Sequence, residues 1–313
     1  MARYAVIDVG TNSIKCLLAE QAAGGAYQVI SDRADIARLG EQFYETGRLQ
    51  PEAMARNVRE IARMAQAARA DGADAIIGVG TMCLRAAANA PEFVRQVEQA
   101  CGLTIEILSG AEEARLGFLA ATSGLPAAAQ RVMVFDAGGG STECIVGQHG
   151  RIEQSVSVPL GAVVLTEQHG LSAFPATASQ IDGAMAVVLQ QFTPRIPTGM
   201  IDAVIGIGGT VTTMCAVKLG LTAYNTAAIE GATVERAEVE RQIALYADKT
   251  LSERQQIPGL PPKRADVILG GALIVKGVME LTGVDAIRVS SRGLRHGVMA
   301  DWRAKARAGK SDK

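Results

Sequence analysis

The chain has 313 residues, 48% of them hydrophobic, and its 31 Lys and Arg against 32 Asp and Glu leave a formal net charge of −1. That length suits two soluble domains, each with its own core. The near-neutral balance excludes a global basic field that would draw in nucleic acid or another polyanion, so an anionic ligand has to be captured by local groups.

The sequence opens on an apolar run, "YAVIDV", a turn centred on Gly10, Thr11, Asn12 and Ser13, and a second apolar run. This predicts a β-hairpin. Pro51 suits the first position of a helix over 51–72. Met54, Val58, Ile61, Ala65 and Ala68 recur there at helical spacing until Gly72 ends the pattern. A buried strand is expected at 75–79 and a helix at 81–89. The Asn-Ala-Pro break at 89–91 precedes a further helix that stops at Gly102. A strand over 104–108 leads into "SGAEEARLGFLAA", where Ser109 is placed to cap a helix. Strands alternating with helices predict an α/β domain with a mostly parallel sheet.

Residues 134–143 read "VFDAGGGSTE": an apolar strand ending in an aspartate, three glycines, two hydroxyls and a glutamate. A plain tight turn accounts poorly for three glycines and not at all for the carboxylates. A loop whose bare backbone N–H groups approach an anion, with carboxylates beside it to hold a cation, accounts for both. Further on, a helix is expected near 179–191 and another from about 233, with an apolar stripe over 234–246. Pro258, Pro261 and Pro262 mark an extended connection into a buried helix, and "AIRVSSRGLRHGVMADWRAK" reads as strand, turn and helix with a basic tail.

The opening has a partner in the second half. A shift of 128 residues lays "VIDVGTNSIKCLL" over "VFDAGGGSTECIV", placing Asp8 on Asp136, Gly10 on Gly138, Ser13 on Ser141, Lys15 on Glu143 and Cys16 on Cys144. Two copies of one strand–turn–strand unit, each opening an α/β half, imply a duplicated fold with a cleft between the halves. A third glycine-rich turn, "VIGIGGTVTTMCAV" at 204–217, follows another apolar strand.

Five scattered cysteines (Cys16, Cys83, Cys101, Cys144, Cys215) form no CxxC, and the only histidines are His149, His169 and His296. A zinc site is therefore not expected, and the thiols read as small buried hydrophobes of a reducing compartment. No leader-like stretch opens the sequence. The longest apolar run, 267–275, is interrupted by Lys276 and is too short to span a bilayer. The cytoplasm is the expected location, with no membrane and no nucleic acid as partner.

Standard phosphate loops do not fit. No GxxxxGK[ST] string occurs, and "GVGTMC" and "GIGGTV" lack the last glycine of GxGxxG. Paired DxG-hydroxyl turns remain, in which successive N–H groups form an anion nest and an aspartate holds Mg²⁺ through water. "DVGTNSIK", "FDAGGGSTE" and "GIGGT", in that order, resemble the two phosphate motifs and later glycine motif of the actin, Hsp70 and sugar-kinase superfamily. "GTMCLRAAAN", "ILSGAEEARLGFLA", "LGAVVLTE" and "SSRGLRHG" narrow the resemblance to the exopolyphosphatase and guanosine pentaphosphate phosphohydrolase (Ppx/GppA) family, in its short two-domain form.

The resemblance implies two ribonuclease-H-like (actin-like) α/β domains, 1–123 and 124–296, an interdomain cleft, and a C-terminal helix of about 297–313 packing back on the first. It implies Mg²⁺-dependent removal of the terminal phosphate of inorganic polyphosphate. The guanosine pentaphosphate (pppGpp) 5'-phosphohydrolase is the alternative, with ppGpp as an inhibitor and a homodimer as the assembly. It makes Glu113 the water-activating base, although Glu112 and Glu113 also suit the first turn of a helix. Asp136 and Glu143 are the expected Mg²⁺ ligands. Gly138, Gly139, Gly140, Ser141 and Thr142 are expected on phosphate, opposed by Asp8, Gly10, Thr11, Asn12, Ser13 and Lys15, although Asn12 also suits a local turn role. Arg85 resembles the arginine that reaches the polyphosphate, with Asn89 beside it, and Gly208, Gly209 and Thr210 match the later loop. Arg295 fits a family position near the domain junction, but His296 stands where glutamate is commoner. With no long basic channel, short or medium chains are the expected substrates. Two other classes fit the superfamily: an ATP-dependent sugar or acetate kinase, and a ppGpp sensor without catalysis.

Overall fold

The computed structural model describes residues 2–21, 27–123, 131–148, 151–172, 175–196 and 201–311; His149 lies outside them. The chain forms two compact units, Met1–Leu116 with Leu294–Lys313, and Gly117–Gly293. Residues 117–123, assigned to the first domain by sequence, belong to the second unit. The reason is local packing: a Cβ on Gly117 would meet Ile207 at 3.3 Å, and the Phe118 ring lies against Gly147.

In the first unit, β1 (Arg3–Val9) is followed by β2 (Ile14–Gln21) and β3 (Tyr27–Asp35), then α1 (Phe43–Thr46), α2 (Pro51–Ala70) and β4 (Ala75–Gly80). Next come α3 (Met82–Ala86), α4 (Ala90–Cys101) and β5 (Ile105–Ile107), and α5 (Gly110–Thr122) leads out. The sheet order is β3-β2-β1-β4-β5. The expected mostly parallel sheet is instead mixed. β1, β2 and β3 pair antiparallel, with residues 10–13 returning the chain directly from β1 to β2, while β1, β4 and β5 pair parallel across helices.

β1 alternates strictly between two apolar layers. Ala5, Ile7 and Val9 pack with Met54, Ile61 and Phe93 of α2 and α4. Val6 faces Leu17, Leu116 and, from α13 (Leu294–Ser311), Leu294 and Val298. Pro51 occupies the first turn of α2 as expected. The helix expected at 81–89 is only α3, since Ala87 is extended and Asn89 precedes the next helix. α13 is fixed to this unit by the bidentate pair of Arg295 with Asp32 on β3 (2.7 and 2.6 Å), by Arg115 with Asp301 (2.6 Å) and by the edge-on rings of Tyr4 and Trp302. Burial pushes the Cys16 thiol up to about 11 and Cys83 up to about 12, so both stay protonated at neutral pH, as small buried hydrophobes would.

The second unit repeats the plan. β6 (Arg131–Ala137), β7 (Thr142–Gln148) and β8 (Arg151–Val158) pair antiparallel, and β9 (Ala203–Ile207) joins β6 in parallel. Between them lie α6 (Ala162–His169) and α7 (Ala178–Phe192), and after β9 come α8 (Gly208–Lys218) and α9 (Thr226–Ile229). β10 (Thr233–Glu235), α10 (Arg236–Ala247), α11 (Leu251–Arg254), a 3-10 turn (Pro262–Arg264), the buried α12 (Ile268–Thr282) and β11 (Ala286–Val289) complete it. The order β10-β11-β9-β6-β7-β8 matches the first sheet strand for strand from β8 to β11, with β10 added at the edge. The helix expected from 233 begins only at Arg236, because 233–235 pair antiparallel with β11. No helix of the described residues is long and apolar enough to cross a membrane.

Gly297 is the tightest point where α13 meets α5: a Cβ there would sit 2.0 Å from the Leu116 carbonyl oxygen. Because the obstacle is backbone, Gly297→Ala is expected to cost about 1–3 kcal/mol and lower the thermal midpoint by roughly 5 °C, measured by circular dichroism.

Candidate active site

Both hairpin turns close the same way. The Gly10 N–H donates to the Ser13 carbonyl at 3.0 Å, and Gly138 N–H to the Ser141 carbonyl at 3.0 Å. In each, the register sets two side chains directly opposite one another on one face. In the first copy they are Asp8 and Lys15, with Nζ 3.9 Å from Oδ2. In the second they are Asp136 and Glu143. Opposite charges stabilise such a pair and like charges destabilise it.

The first turn is braced from the loop after β3: the Arg38 N–H donates to Asn12 O (3.0 Å) and Gly40 N–H to Thr11 O (2.9 Å). Thr11 and Asn12 are buried, and the Thr11 side chain hydrogen-bonds with Cys83. Asn12 thus meets the loop after β3 through its carbonyl.

Glu113 sits in the first turn of α5. Ser109 caps that turn, its hydroxyl accepting from Glu112 N–H (3.1 Å) and its carbonyl from Glu113 N–H (2.9 Å). Arg85 at the end of α3 donates through Nη1 to Glu113 Oε2 (2.7 Å) and to Leu108 O (2.8 Å). The neighbouring Glu112, in the same first turn, pairs with Arg115. Asn89 is a clamp: it accepts from Leu49 N–H (2.9 Å) and donates to Leu49 O (3.0 Å), so its amide serves the loop before α2 rather than a substrate.

In the second turn, the carbonyls of Gly138 and Gly139 accept from Ala162 and Val163 at the start of α6 (2.8 and 2.9 Å). All described peptides are trans. The N–H groups of Gly139 and Gly140 therefore point opposite to those carbonyls, away from α6. Glu143 is buried, and its Oε1 accepts from the hydroxyls of Ser141 and Ser157, both at 2.7 Å. The hydroxyls of Thr142 and Thr210 donate to Leu160 O and Ala137 O, each at 2.7 Å. The hydroxyls of Ser141, Thr142 and Thr210, all expected on phosphate, are thus engaged within the fold.

The later loop adds to this. Gly208 has φ +81°, and a Cβ on it would lie 2.0 Å from Asp136 Oδ1. On Gly209 a Cβ would lie 2.4 Å from Arg264 Nη1. Asp136 and Arg264 thus rest on consecutive glycines at the start of α8. Burial lowers the Arg264 pKa from its usual value, with Tyr224, Asp136 and Asp266 opposing that shift. Sequence reasoning passed over Arg264 as part of a proline-rich connection; its one local signal is a charge set just ahead of a helix buried along most of its length.

Comparison with known proteins follows this geometry. The family model described as the Ppx/GppA phosphatase family matches residues 17–306. The chain belongs to the Ppx/GppA phosphatase family. It is 33% identical over 313 residues to exopolyphosphatase 2 of Mycobacterium tuberculosis, covering 95% of this chain and 98% of that one. Among solved structures, an exopolyphosphatase-like protein aligns with a TM-score of 0.90 at 30% identity, covering 97% and 98% of the two chains. The Ppx/GppA family member of Aquifex aeolicus aligns with a TM-score of 0.80 at 28% identity, over 97% and 98%.

As a Ppx/GppA phosphatase the chain is a phosphoanhydride hydrolase with an actin-like fold, and the kinase alternative is set aside. Its glycine turn has one exacting neighbour. A Cβ on Gly161 would fall 2.4 Å from the Gly139 carbonyl carbon and oxygen and 2.6 Å from Gly140 N. Gly161→Ala is expected to displace those two peptides and reduce orthophosphate release by about 10²-fold, with circular dichroism unchanged.

Proposed function

We propose that the chain is an exopolyphosphatase that hydrolyses the terminal phosphoanhydride of inorganic polyphosphate and releases orthophosphate. The observation that carries this reading is the contrast between the hairpins. One scaffold sets an aspartate opposite a lysine in the first copy and opposite a second, buried glutamate in the second copy, beside the glycine nest.

Two like charges opposite each other favour a bound cation. Among the described residues no group of three His, Cys, Asp or Glu could hold a metal. Mg²⁺ keeps several waters and needs only one or two carboxylates plus phosphate oxygens. Asp136 and Glu143 would hold it, and when bound it would neutralise charge on the transferring phosphoryl group. The Gly139 and Gly140 N–H groups bind phosphoryl oxygens, and Arg264 adds a cation at the next glycine turn. Lys15 and the Gly10–Ser13 turn supply the corresponding groups of the first unit. Glu113 orients a water and takes its proton as the water oxygen bonds to the terminal phosphorus. The bridging P–O bond breaks, leaving orthophosphate and a chain one phosphate shorter.

Kinship of 33% to a protein named exopolyphosphatase 2 supports polyphosphate as substrate. A pppGpp 5'-phosphohydrolase is the alternative within the same chemistry. A cytoplasmic homodimer inhibited by ppGpp completes the proposal.

Orthophosphate release from polyphosphate and from pppGpp tests these readings, with kcat/KM expected to favour polyphosphate. Glu113→Gln is expected to lower kcat by roughly 10²–10⁴-fold. Wild-type activity on pppGpp alone would overturn the polyphosphate assignment. Release is also expected to peak on short or medium chains; a steady climb with chain length would count against the local capture of the anion.

A further inference from the structure

The ion pair between Arg85 and Glu113 raises a question of order. A base that must take a proton from water is held by a guanidinium at 2.7 Å, and a carboxylate so held is a weaker base than one released. A polyanion arriving beside Glu113 brings further negative charge, which repels the carboxylate and attracts the arginine. The side chains are only partly buried, 22% exposed for Arg85 and 14% for Glu113. The same Nη1 is anchored to the Leu108 carbonyl at 2.8 Å. The guanidinium fork can therefore turn about a fixed point instead of leaving the site.

We propose that Arg85 is an exchangeable cation, shared in turn by Glu113 and substrate: an incoming phosphate chain takes the guanidinium over, and Glu113 becomes an effective base only in the complex. This rests on the exopolyphosphatase reading and adds a gate to it. Phosphate oxygens satisfy the planar fork as well as a carboxylate does, and with more charge. The exchange ties release of the base to occupancy of the site, so that Glu113 is restrained until the phosphate chain is in place. Arg85 thereby positions Glu113 first and neutralises phosphate second.

The test is a double-mutant cycle on binding of bismethylene triphosphate, a triphosphate chain whose P–C–P links resist hydrolysis, measured by calorimetry with Mg²⁺ present. If Glu113 competes with phosphate for Arg85, Glu113→Gln tightens binding by at least about fivefold, and the gain disappears in the Arg85→Gln background. An equal gain in both backgrounds, or none in either, would overturn the exchange while leaving the exopolyphosphatase reading standing. Failure of every folded variant and of the wild type to bind the triphosphate would overturn both. Should Arg85→Gln not fold, Arg85→Lys serves the same cycle. A single ammonium cannot reproduce the fork, and the gain is expected to shrink; an undiminished gain would again overturn the exchange.

Discussion

One backbone hydrogen bond, from a glycine N–H to the carbonyl three residues on, closes both hairpins at 3.0 Å and fixes what stands across from what. Because side chains alternate strictly along a strand, a slip of one residue would send Asp8 and Asp136 to the other face. The bond is independent of side chain, so the scaffold is the same in the two units while the charges on it differ. The first copy answers its aspartate with a lysine. The second answers with a glutamate and buries it under two serine hydroxyls. The placement of the glycine turn, of Asp136 against Gly208 and of the bracing by α6 all follow from that register.

A second set of constraints holds Glu113. The helix that carries it is capped by Ser109, pinned through Arg115 to α13, and its glutamate is met by Arg85 from α3. α13 is in turn held to β3 by Arg295 and Asp32, with His296 Nε2 3.8 Å from the same carboxylate. The "GLRHG" string, which resembles a family position near the domain junction, therefore has a stated task in this chain. Its arginine is a buried clamp between the last helix and an edge strand, and its second glycine is where that helix touches α5.

Much of this was legible in the sequence because it is local or repeated. The shift of 128 residues between the two hairpins is visible in residue types alone, and the structure returns it as matching turns, registers and strand orders. Helix limits set by Pro51, Gly102 and Ser109 needed only capping chemistry. What escaped depends on partners far along the chain. Residues 233–235 continue an apolar helical stripe, and only pairing with β11 makes them a strand. Asn89 sits in a string that resembles a substrate-binding motif, but its amide fits the Leu49 backbone. Arg264 acquires its meaning from Gly209, a contact that no local pattern encodes. The mixed sheets were half foreseen: the hairpins were legible, but their weight against the parallel crossovers was not.

The dependence of orthophosphate release on Mg²⁺ concentration, compared between wild type and Glu143→Gln, bears most directly on the role of the second hairpin. Glutamine keeps an acceptor for Ser141 and Ser157 while removing one charge opposite Asp136. The wild type is expected to require Mg²⁺ and lose activity to a chelator, and Glu143→Gln to need at least about tenfold more Mg²⁺ for half-maximal rate. An identical Mg²⁺ midpoint in the two proteins, or full wild-type activity in chelator, would contradict a divalent ion held between these carboxylates.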